Sequence, residues 1–525
     1  MGLEDNKLVQ RFVNVGEKKA GSTSMGIFVG MFAAFGGILF GYDTGTISGI
    51  MAMKYVKERF PANKQEFTSS ESSLIVSILS AGTFFGSLTA PILSDRLGRR
   101  WSLIISSLVI FNIGIILQTI ATAIPLLCVG RVIAGFGVGL ISAVIPLYQA
   151  ETVPKWIRGA VISCYQWAIT LGLLLAAVVN QACHARTDSG SYRIPIAIQF
   201  LWALILGGGL LLLPETPRFW VSKSQEDKAK KSLSTLRKLP LDHPDLIEEY
   251  EEIKANFDYE SRVADSSWKS VFANKNSQRK RLAMGVFIQA LQQLTGVNFI
   301  FYYGTNFFQR AGIENSFVIQ LATNIVNFGS TIPGIILVEI VGRRKLLLGG
   351  SIVMSVSQLI VAIVGVAAGE HSQAANKCLI AFVCTFISAF AATWGPGAWI
   401  VIAESFALPV RQPSIALSTA SNWLWNFAIA YATPYMVDSG PGNADLGSKV
   451  FFIWAGCNIL GFLFIYTMVY ETKGLSLEDV DEMYEKCKHA WNSPSFIPTQ
   501  HAFQSALDSN SVNDESKAEV EEASV

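Results

Sequence analysis

The stretch Asp95-Arg96-Leu97-Gly98-Arg99-Arg100 ends one long apolar run and opens the next, and 244 residues later Glu339-Ile340-Val341-Gly342-Arg343-Arg344 does the same. In both, an acid stands three residues before Gly-Arg-Arg. Two further signatures recur in the same order. Glu151 and Arg158, seven apart, are matched 253 residues on by Glu404 and Arg411, and Pro214-Glu215-Thr216 is matched by Tyr470-Glu471-Thr472 with the glutamates 256 apart. Three offsets near 250 point to a duplicated domain. Anchoring of loops by positive charge would explain the basic residues but not acids at matched positions.

Between these signatures lie apolar runs near 27–50, 74–93, 101–122, 125–149, 160–180 and 195–213, and again near 283–308, 317–340, 346–368, 378–403, 414–436 and 450–470. Each is long enough to cross a bilayer core, which takes about 20 helical residues. The composition agrees: the chain is 51% hydrophobic and only 15% charged, against about 25% charged in soluble domains. The expectation is an all-α membrane protein with twelve transmembrane helices in two six-helix bundles related by pseudo-twofold symmetry. Parallel six-helix repeats with a site between them at the midplane are a transporter plan. The corresponding segments are an N-terminal tail over 1–25, bundles over 26–213 and 282–470, a linker over 214–281 and a tail over 471–525.

An even number of spans puts both tails on one side. Lys18 and Lys19, Arg279-Lys280-Arg281 and Arg343-Arg344-Lys345 hug the span ends, so the tails are expected in the cytoplasm, with the plasma membrane as the site of residence. The linker is polar, with Leu233, Leu236, Leu239, Leu246 and Ile247 at partly helical spacing, and should form short amphipathic helices. The end of the chain from about Asn492 is rich in Ser, Asn, Asp and Glu and reads as disordered.

Several function classes are excluded. A net charge of +1 offers no stripe to neutralise a phosphate backbone, so no nucleic acid is expected. His184, His243, His371, His489 and His501 all fall in loops or tails, and no nucleophile, base or metal-ligand set converges, so the chain is not expected to be an enzyme. No phosphate-binding G-x-x-x-x-G-K-[ST] loop occurs, which argues against an ATP-driven pump. The seven cysteines are scattered without metal spacing. No cofactor or metal is expected, and the partners are a small solute and the lipid bilayer.

The seventh run carries Gln289, Gln292, Gln293 and Asn298 within ten residues. The three glutamines share one helix face, and Gly296 interrupts the run, so the segment reads as a discontinuous helix lining a cavity. Asn422 and Asn426 share a face in the eleventh run, Gln166 lies in the fifth and Asn327 in the eighth. Trp394 and Trp399 flank Gly395-Pro396-Gly397 in the tenth, a run that must break or bend. Uncompensated amides are costly in lipid, so amides on a shared cavity suit a solute with many hydroxyls. Phe40, Phe299, Phe390 and Trp423 can supply apolar walls. Interhelical hydrogen bonding is the competing use, and for a single amide it is as good an account.

Gly41-Tyr42-Asp43-Thr44-Gly45, Asp95-Arg96-Leu97-Gly98-Arg99-Arg100, Pro214-Glu215-Thr216-Pro217-Arg218, Gln292-Gln293-Leu294-Thr295-Gly296-Val297-Asn298 and Glu471-Thr472-Lys473-Gly474 together resemble the sugar porter family of the major facilitator superfamily, over about residues 25–485. Within it the chain is most similar to yeast high-affinity glucose and xylose transporters, a group that contains proton symporters. The resemblance implies a monosaccharide substrate and sugar contacts at Gln166, Gln292, Gln293, Asn298, Asn327, Trp399 and Asn422. Tyr470 departs from the family, where proline commonly precedes Glu-Thr-Lys-Gly; only a local change at that helix end is expected.

Two charge sets remain. Arg99, Glu151, Arg158, Arg343, Glu404 and Arg411 can form a latch on the cytoplasmic side that holds the outward-open state, several weak pairs together biasing two conformations. Asp43 lies about sixteen residues into the first span, about 24 Å up at 1.5 Å per residue, and Arg131 about six residues into a span running the other way. Their similar depth makes pairing the expected arrangement. Protonation of Asp43 would release Arg131 and couple a proton to the sugar; a static tie between two helices is the alternative, as is a facilitator of the same fold. A membrane sugar sensor is the remaining rival.

Overall fold

The computed structural model describes residues 22 and 24–498, apart from 64–65, 155–156, 264–269, 273–276, 311–315, 368–372, 407–409 and 476. Most of the N-terminal tail, His371, His501 and the chain beyond 498 therefore lie outside the described residues.

Among the described residues eleven helices are long and apolar enough to cross a membrane: α1 Ser24–Ala52, α2 Ser69–Leu97, α3 Arg99–Ile120, α4 Ile124–Thr152, α5 Arg158–Cys183, α6 Gly190–Leu210, α7 Gln278–Gln309, α8 Ser316–Val341, α9 Arg343–Ala367, α10 Ala375–Ser405 and α12 Gly447–Met468. Between the last two runs α11, Arg411–Val437, which at 27 residues is also long enough to span. Its polar stripe of Ser414, Ser418, Ser421, Asn422 and Asn426 is buried, so its lower hydropathy reflects the neighbours it packs against. The protein is a multi-pass membrane protein.

The surface is that of a lipid-solvated body. Phe85 is 61% exposed, Leu204 58% and Leu460 60%, whereas Ser73, Ser77, Ser80, Thr83 and Ser87 of α2 are buried. Short hydroxyl side chains are tolerated there because several bond their own helix, as Thr83 does to the Ser80 carbonyl (2.8 Å) and Ser87 to that of Phe84 (2.9 Å). Within the first bundle α2 packs on α4 and α1 on α5; in the second α9 packs on α12 and α8 on α10. The bundles meet along α2 with α11 and α5 with α8, matched pairs under the internal twofold.

The duplicated signatures build duplicated corners. Gly98, between α2 and α3, has φ +93°, and Gly342, between α8 and α9, has φ +94°. Glu215 accepts hydrogen bonds from the amides of Arg99 (3.1 Å) and Arg100 (3.0 Å) at the start of α3. Glu471 accepts from those of Arg343 (2.9 Å) and Arg344 (3.1 Å) at the start of α9. A carboxylate at a helix N-terminus meets orphan amides and the positive end of the dipole. A Cβ at Gly98 would collide with Glu215, and one at Gly342 would come within 2.5 Å of Glu471 Oε2. Arg100 then donates to the carbonyls of Leu210 and Leu211, and Arg344 to those of Ile465, Tyr466 and Val469, which ties α3 to the end of α6 and α9 to the end of α12.

The linker forms helices Pro217–Ser222, Glu226–Arg237 and Pro244–Val263. They bury Val221, Ala229, Leu233, Leu246 and Tyr250 together. The carbonyl of Arg237 accepts from the Ser22 amide (2.8 Å), joining this cap to the start of α1. Past α12, helix Leu477–Lys486 and a 3-10 turn over Ala490–Ser495 fold back on the second bundle. Order thus continues past Asn492, where the composition suggested disorder, because Ser493 bonds the Glu471 amide (2.9 Å) and Phe496 packs on the Tyr470 cluster. The effect of Tyr470 is wider than a local change. Its buried hydroxyl accepts from Lys280 Nζ (2.6 Å) and donates to the Cys487 carbonyl (3.0 Å), and its ring lies 4.4 Å from that of Tyr484.

Candidate functional site

Two helices are interrupted near the interface between the bundles. In α7 the helical stretch Gln278–Leu294 ends and Val297–Arg310 begins across Gly296, whose φ is +82°. In α10 the break falls at Thr393, between Gln373–Ala392 and Trp394–Ser405. It comes just before the Gly395-Pro396-Gly397 run, which itself is helical. The start of the new helix faces α7: Gln292 Nε2 donates to Trp394 O (2.9 Å) and Gly395 O (3.0 Å).

Around these breaks the amides form one connected set. Gln293 Nε2 donates to Asn422 Oδ1 (2.8 Å), and Asn422 Nδ2 donates to Gln289 Oε1 (2.7 Å) and Gln292 Oε1 (2.8 Å). Gln293 Oε1 in turn accepts from Asn298 and from Asn426 Nδ2 (3.2 Å). All six side chains are buried. In a low-dielectric interior such a network holds its members in register.

Apolar rings border it. Phe40 of α1 meets Trp423 of α11 edge-on at 4.8 Å, and Trp399 meets Tyr165 edge-on at 6.1 Å. Gln166 lies against Gly395, 3.4 Å from where its Cβ would stand. Phe390 is buried one turn before the α10 break. Phe299 points elsewhere, into a cluster with Phe307 (5.2 Å) and Phe451 (5.6 Å). Asn327 is buried on α8 with Oδ1 unpartnered among the described residues, and no hydrogen bond there ties it or Gln166 to the α7 amides.

Three members were not singled out from the sequence. Ser80 of α2 donates to Asn426 Oδ1 (2.6 Å), Tyr302 OH to the same oxygen (2.9 Å), and Trp423 Nε1 to Ser142 Oγ of α4 (3.2 Å). The run of Ser and Thr every three or four residues along α2 was the available signal.

Asp43 of α1 and Arg131 of α4 do meet: Asp43 Oδ2 lies 3.9 Å from Arg131 Nη2, both side chains almost fully buried. Gln118, Gln199 and Tyr192 line the same small cavity, which has room for about one water.

At the arginine-rich end each bundle pairs its own charges. Arg99 reaches Glu151 (3.2 Å) and Asp95 (3.6 Å); Arg343 reaches Glu404 (3.0 Å) and Glu339 (3.0 Å). The contacts that cross between bundles involve the first turns of α5 and α11. Gly159, beside Arg158, lies against Glu339 and Arg343, and the Gln412 amide, beside Arg411, lies against Asp95 and Arg99. Each acid thus faces the positive end of a helix from the other bundle. Arg411 itself is buried and donates to the Ala403 carbonyl (2.5 Å). Just outside the spans, burial pushes the Glu215 carboxyl up to about 7, against the pull of the Thr216 and Arg100 amides and of Arg99.

The family described as sugar (and other) transporters matches residues 29–484. The chain belongs to it. It is 53% identical over 497 residues to the major facilitator-type transporter ecdD of Aspergillus rugulosus, covering 92% of this chain and 91% of that protein. It is 48% identical to the high glucose sensor RGT2 of Saccharomyces cerevisiae, over 90% of this chain and 63% of that longer protein. Among solved structures, the proton:xylose symporter XylE of E. coli bound to 6-bromo-6-deoxy-D-glucose superposes with a TM-score of 0.76 at 25% identity, covering 88% of this chain and 100% of that one. The chain is therefore a sugar transporter of the major facilitator fold, and not an enzyme.

Proposed function

We propose that this transporter carries a monosaccharide, glucose and also xylose, by alternating access and in symport with a proton. The reading rests on one observation above the others: Gln289, Gln292, Gln293, Asn298 and Asn422 converge where α7 and α10 are broken, between the two bundles. Carboxamides offer both donors and acceptors, as sugar hydroxyls require, and Trp399, Phe40 and Phe390 offer the apolar ring faces. Gln166 and Asn327 complete the set from α5 and α8. Residues 26–213 and 282–470 are the two rocking bodies, and 214–281 connects them.

The end bearing Arg99 and Arg343 faces the cytoplasm, as basic clusters at span ends favour, in the plasma membrane. There Arg99, Glu151, Arg158, Arg343, Glu404 and Arg411 form the inner gate. The pairs Arg99–Glu151 and Arg343–Glu404 stay within their bundles, and the contacts of the first turns of α5 and α11, beside Arg158 and Arg411, with the opposite bundle part when the bundles rock. Asp43 and Arg131 take up the proton. With the carboxyl protonated, Arg131 loses its counter-charge and the cost of separating α1 from α4 falls. The symporter XylE supports this coupling by likeness of fold.

Uptake of labelled glucose and xylose in cells lacking other sugar carriers, with external pH recorded, tests the proposal. Accumulation with sugar-dependent alkalinisation supports it, and Asp43→Asn should abolish accumulation while sparing exchange. Uptake that only equilibrates would leave the carrier and remove the proton. No uptake of either sugar would refute transport and favour a sensing role of the kind RGT2 is named for.

A further inference from the structure

The lipid-facing side of α12 runs through Phe452, Ile453, Ile459, Leu460, Leu463 and Tyr466, each at least 42% exposed, with Phe452, Ile459, Leu463 and Tyr466 seven, four and three residues apart and so on one helix face. Tyr466 lies within the last turn of the span, which ends at Met468. The face does not stop there. The Trp491 ring stacks on Tyr466 at 6.0 Å and 18°, and His489 stacks on Trp491 at 4.4 Å and 5°. Beneath Tyr466 the Arg344 guanidinium lies 5.4 Å from the ring centroid. Trp491 nevertheless remains 44% exposed, and Ile497 67%.

Burial was available to these side chains. The same segment buries Ala490 and Ser493 and packs Phe496 onto the Tyr470 cluster, so its inner side is already committed to the protein. Its outer side presents the Trp491 indole in line with a surface made for acyl chains, and leaves Ile497 exposed six residues on. Exposed lysines flank the elements that carry this face: Lys345 next to Arg344, Lys473 after the end of α12, and Lys488 next to His489. Amphipathic aromatics flanked by basic groups are what the boundary between headgroups and acyl chains accommodates, and Trp and Tyr are enriched there.

We infer that residues 489–497 form an interfacial anchor, with Trp491 and Ile497 seated in the phospholipid headgroup–acyl boundary as a continuation of the α12 lipid face. The continuity with α12 selects lipid as the occupant over a second copy of the chain or a soluble partner. The anchor sets the position of helix Leu477–Lys486, whose Asp481 pairs with buried Arg281 at the start of α7.

The test uses the full-length protein in phosphatidylcholine–phosphatidylserine nanodiscs, with a genetically encoded fluorescent amino acid at position 497. Lipids carrying a nitroxide near the headgroup should quench it at least threefold more than lipids labelled near the chain end, and aqueous iodide should have little effect. Trp491→Ser, a change at a half-exposed site, should lower the shallow quenching at least twofold while an unchanged melting temperature shows the protein to be folded. Strong iodide quenching without lipid quenching would overturn the inference, since the segment would then face water. Protection from both quenchers would overturn it equally, because protein would then cover the face.

Discussion

Replacing Gln293 by alanine separates a sugar site from a polar staple. Its side chain serves three partners: it donates to Asn422 and accepts from Asn298 and Asn426. At about 0.6 kcal/mol per interhelical hydrogen bond in membranes, their loss costs about 2 kcal/mol of stability. Gln358 provides the comparison. It too is a buried amide with cross-helix partners, donating to Thr295 O (2.8 Å) and accepting from Asn458 (2.7 Å), but it takes no part in the network around Asn422. Gln358→Ala should lower the melting temperature in detergent by a similar amount. If sugar hydroxyls take over two of the Gln293 bonds, at about 0.5–1.5 kcal/mol each, Gln293→Ala loses about 1–3 kcal/mol of binding, or roughly 5- to 150-fold in KM. Gln358→Ala should leave KM within about twofold. Initial-rate uptake of labelled glucose, normalised to folded protein, reads both. Equal KM changes in the two variants, or an unchanged KM in Gln293→Ala, would refute the assignment.

Gly342→Ala should destabilise by about 2–4 kcal/mol, because an L-residue at φ +94° is strained and its Cβ meets the Glu471 carboxylate; melting of purified protein checks it, and Gly98→Ala should behave alike. The Glu215 carboxyl titrates near 7 in the folded protein, above its ordinary 4.5. The folded state then binds the proton more tightly, so stability is held below about pH 4.5 and declines as pH rises towards 7. Glu215→Gln should flatten that stretch of a melting-versus-pH series. Tyr470→Phe removes the hydroxyl's bonds to Lys280 and to the Cys487 carbonyl, leaving Lys280 its contact with the Lys488 carbonyl (3.4 Å), and should cost about 1–2 kcal/mol, read by limited proteolysis of the C-terminal segment.

Each of the twelve apolar runs is matched by a long helix to within about five residues, eleven of them apolar enough to cross a membrane among the described residues, because a run of apolar residues reports the hydrocarbon slab directly. The boundaries erred where helices continue beyond it. α2 starts at Ser69, well before the apolar run near 74, because Thr68 and Glu71 form a reciprocal cap there. The interruption at Gly296 was legible from glycine among amides. The one at Thr393 was misplaced to the Gly-Pro-Gly run, since proline is accepted in the first turn of the new helix. The amides of α7 and α11 stood out as expensive in lipid. Ser80 and Ser142 did not, because a hydroxyl in an apolar helix can satisfy itself on its own backbone and so gives little signal. The orientation of Phe299 depended on which way the second part of α7 turns after the break, and no spacing rule supplies that.

The paired acid-capped corners also decide where this molecule can bend. Glu215 and Arg100 clasp α2, α3 and α6 at one vertex, and Glu471 and Arg344 clasp α8, α9 and α12 at its twin. Each clasp makes a stiff bracket of three rods, so flexing is denied at those vertices. The give has to come from the rods left outside the brackets, and of these α7 and α10 are already cut midway, beside the amides a solute would touch. On the proposed function, grip and hinge are then neighbours in the fold, and a solute that closed the grip would also bear on the hinge.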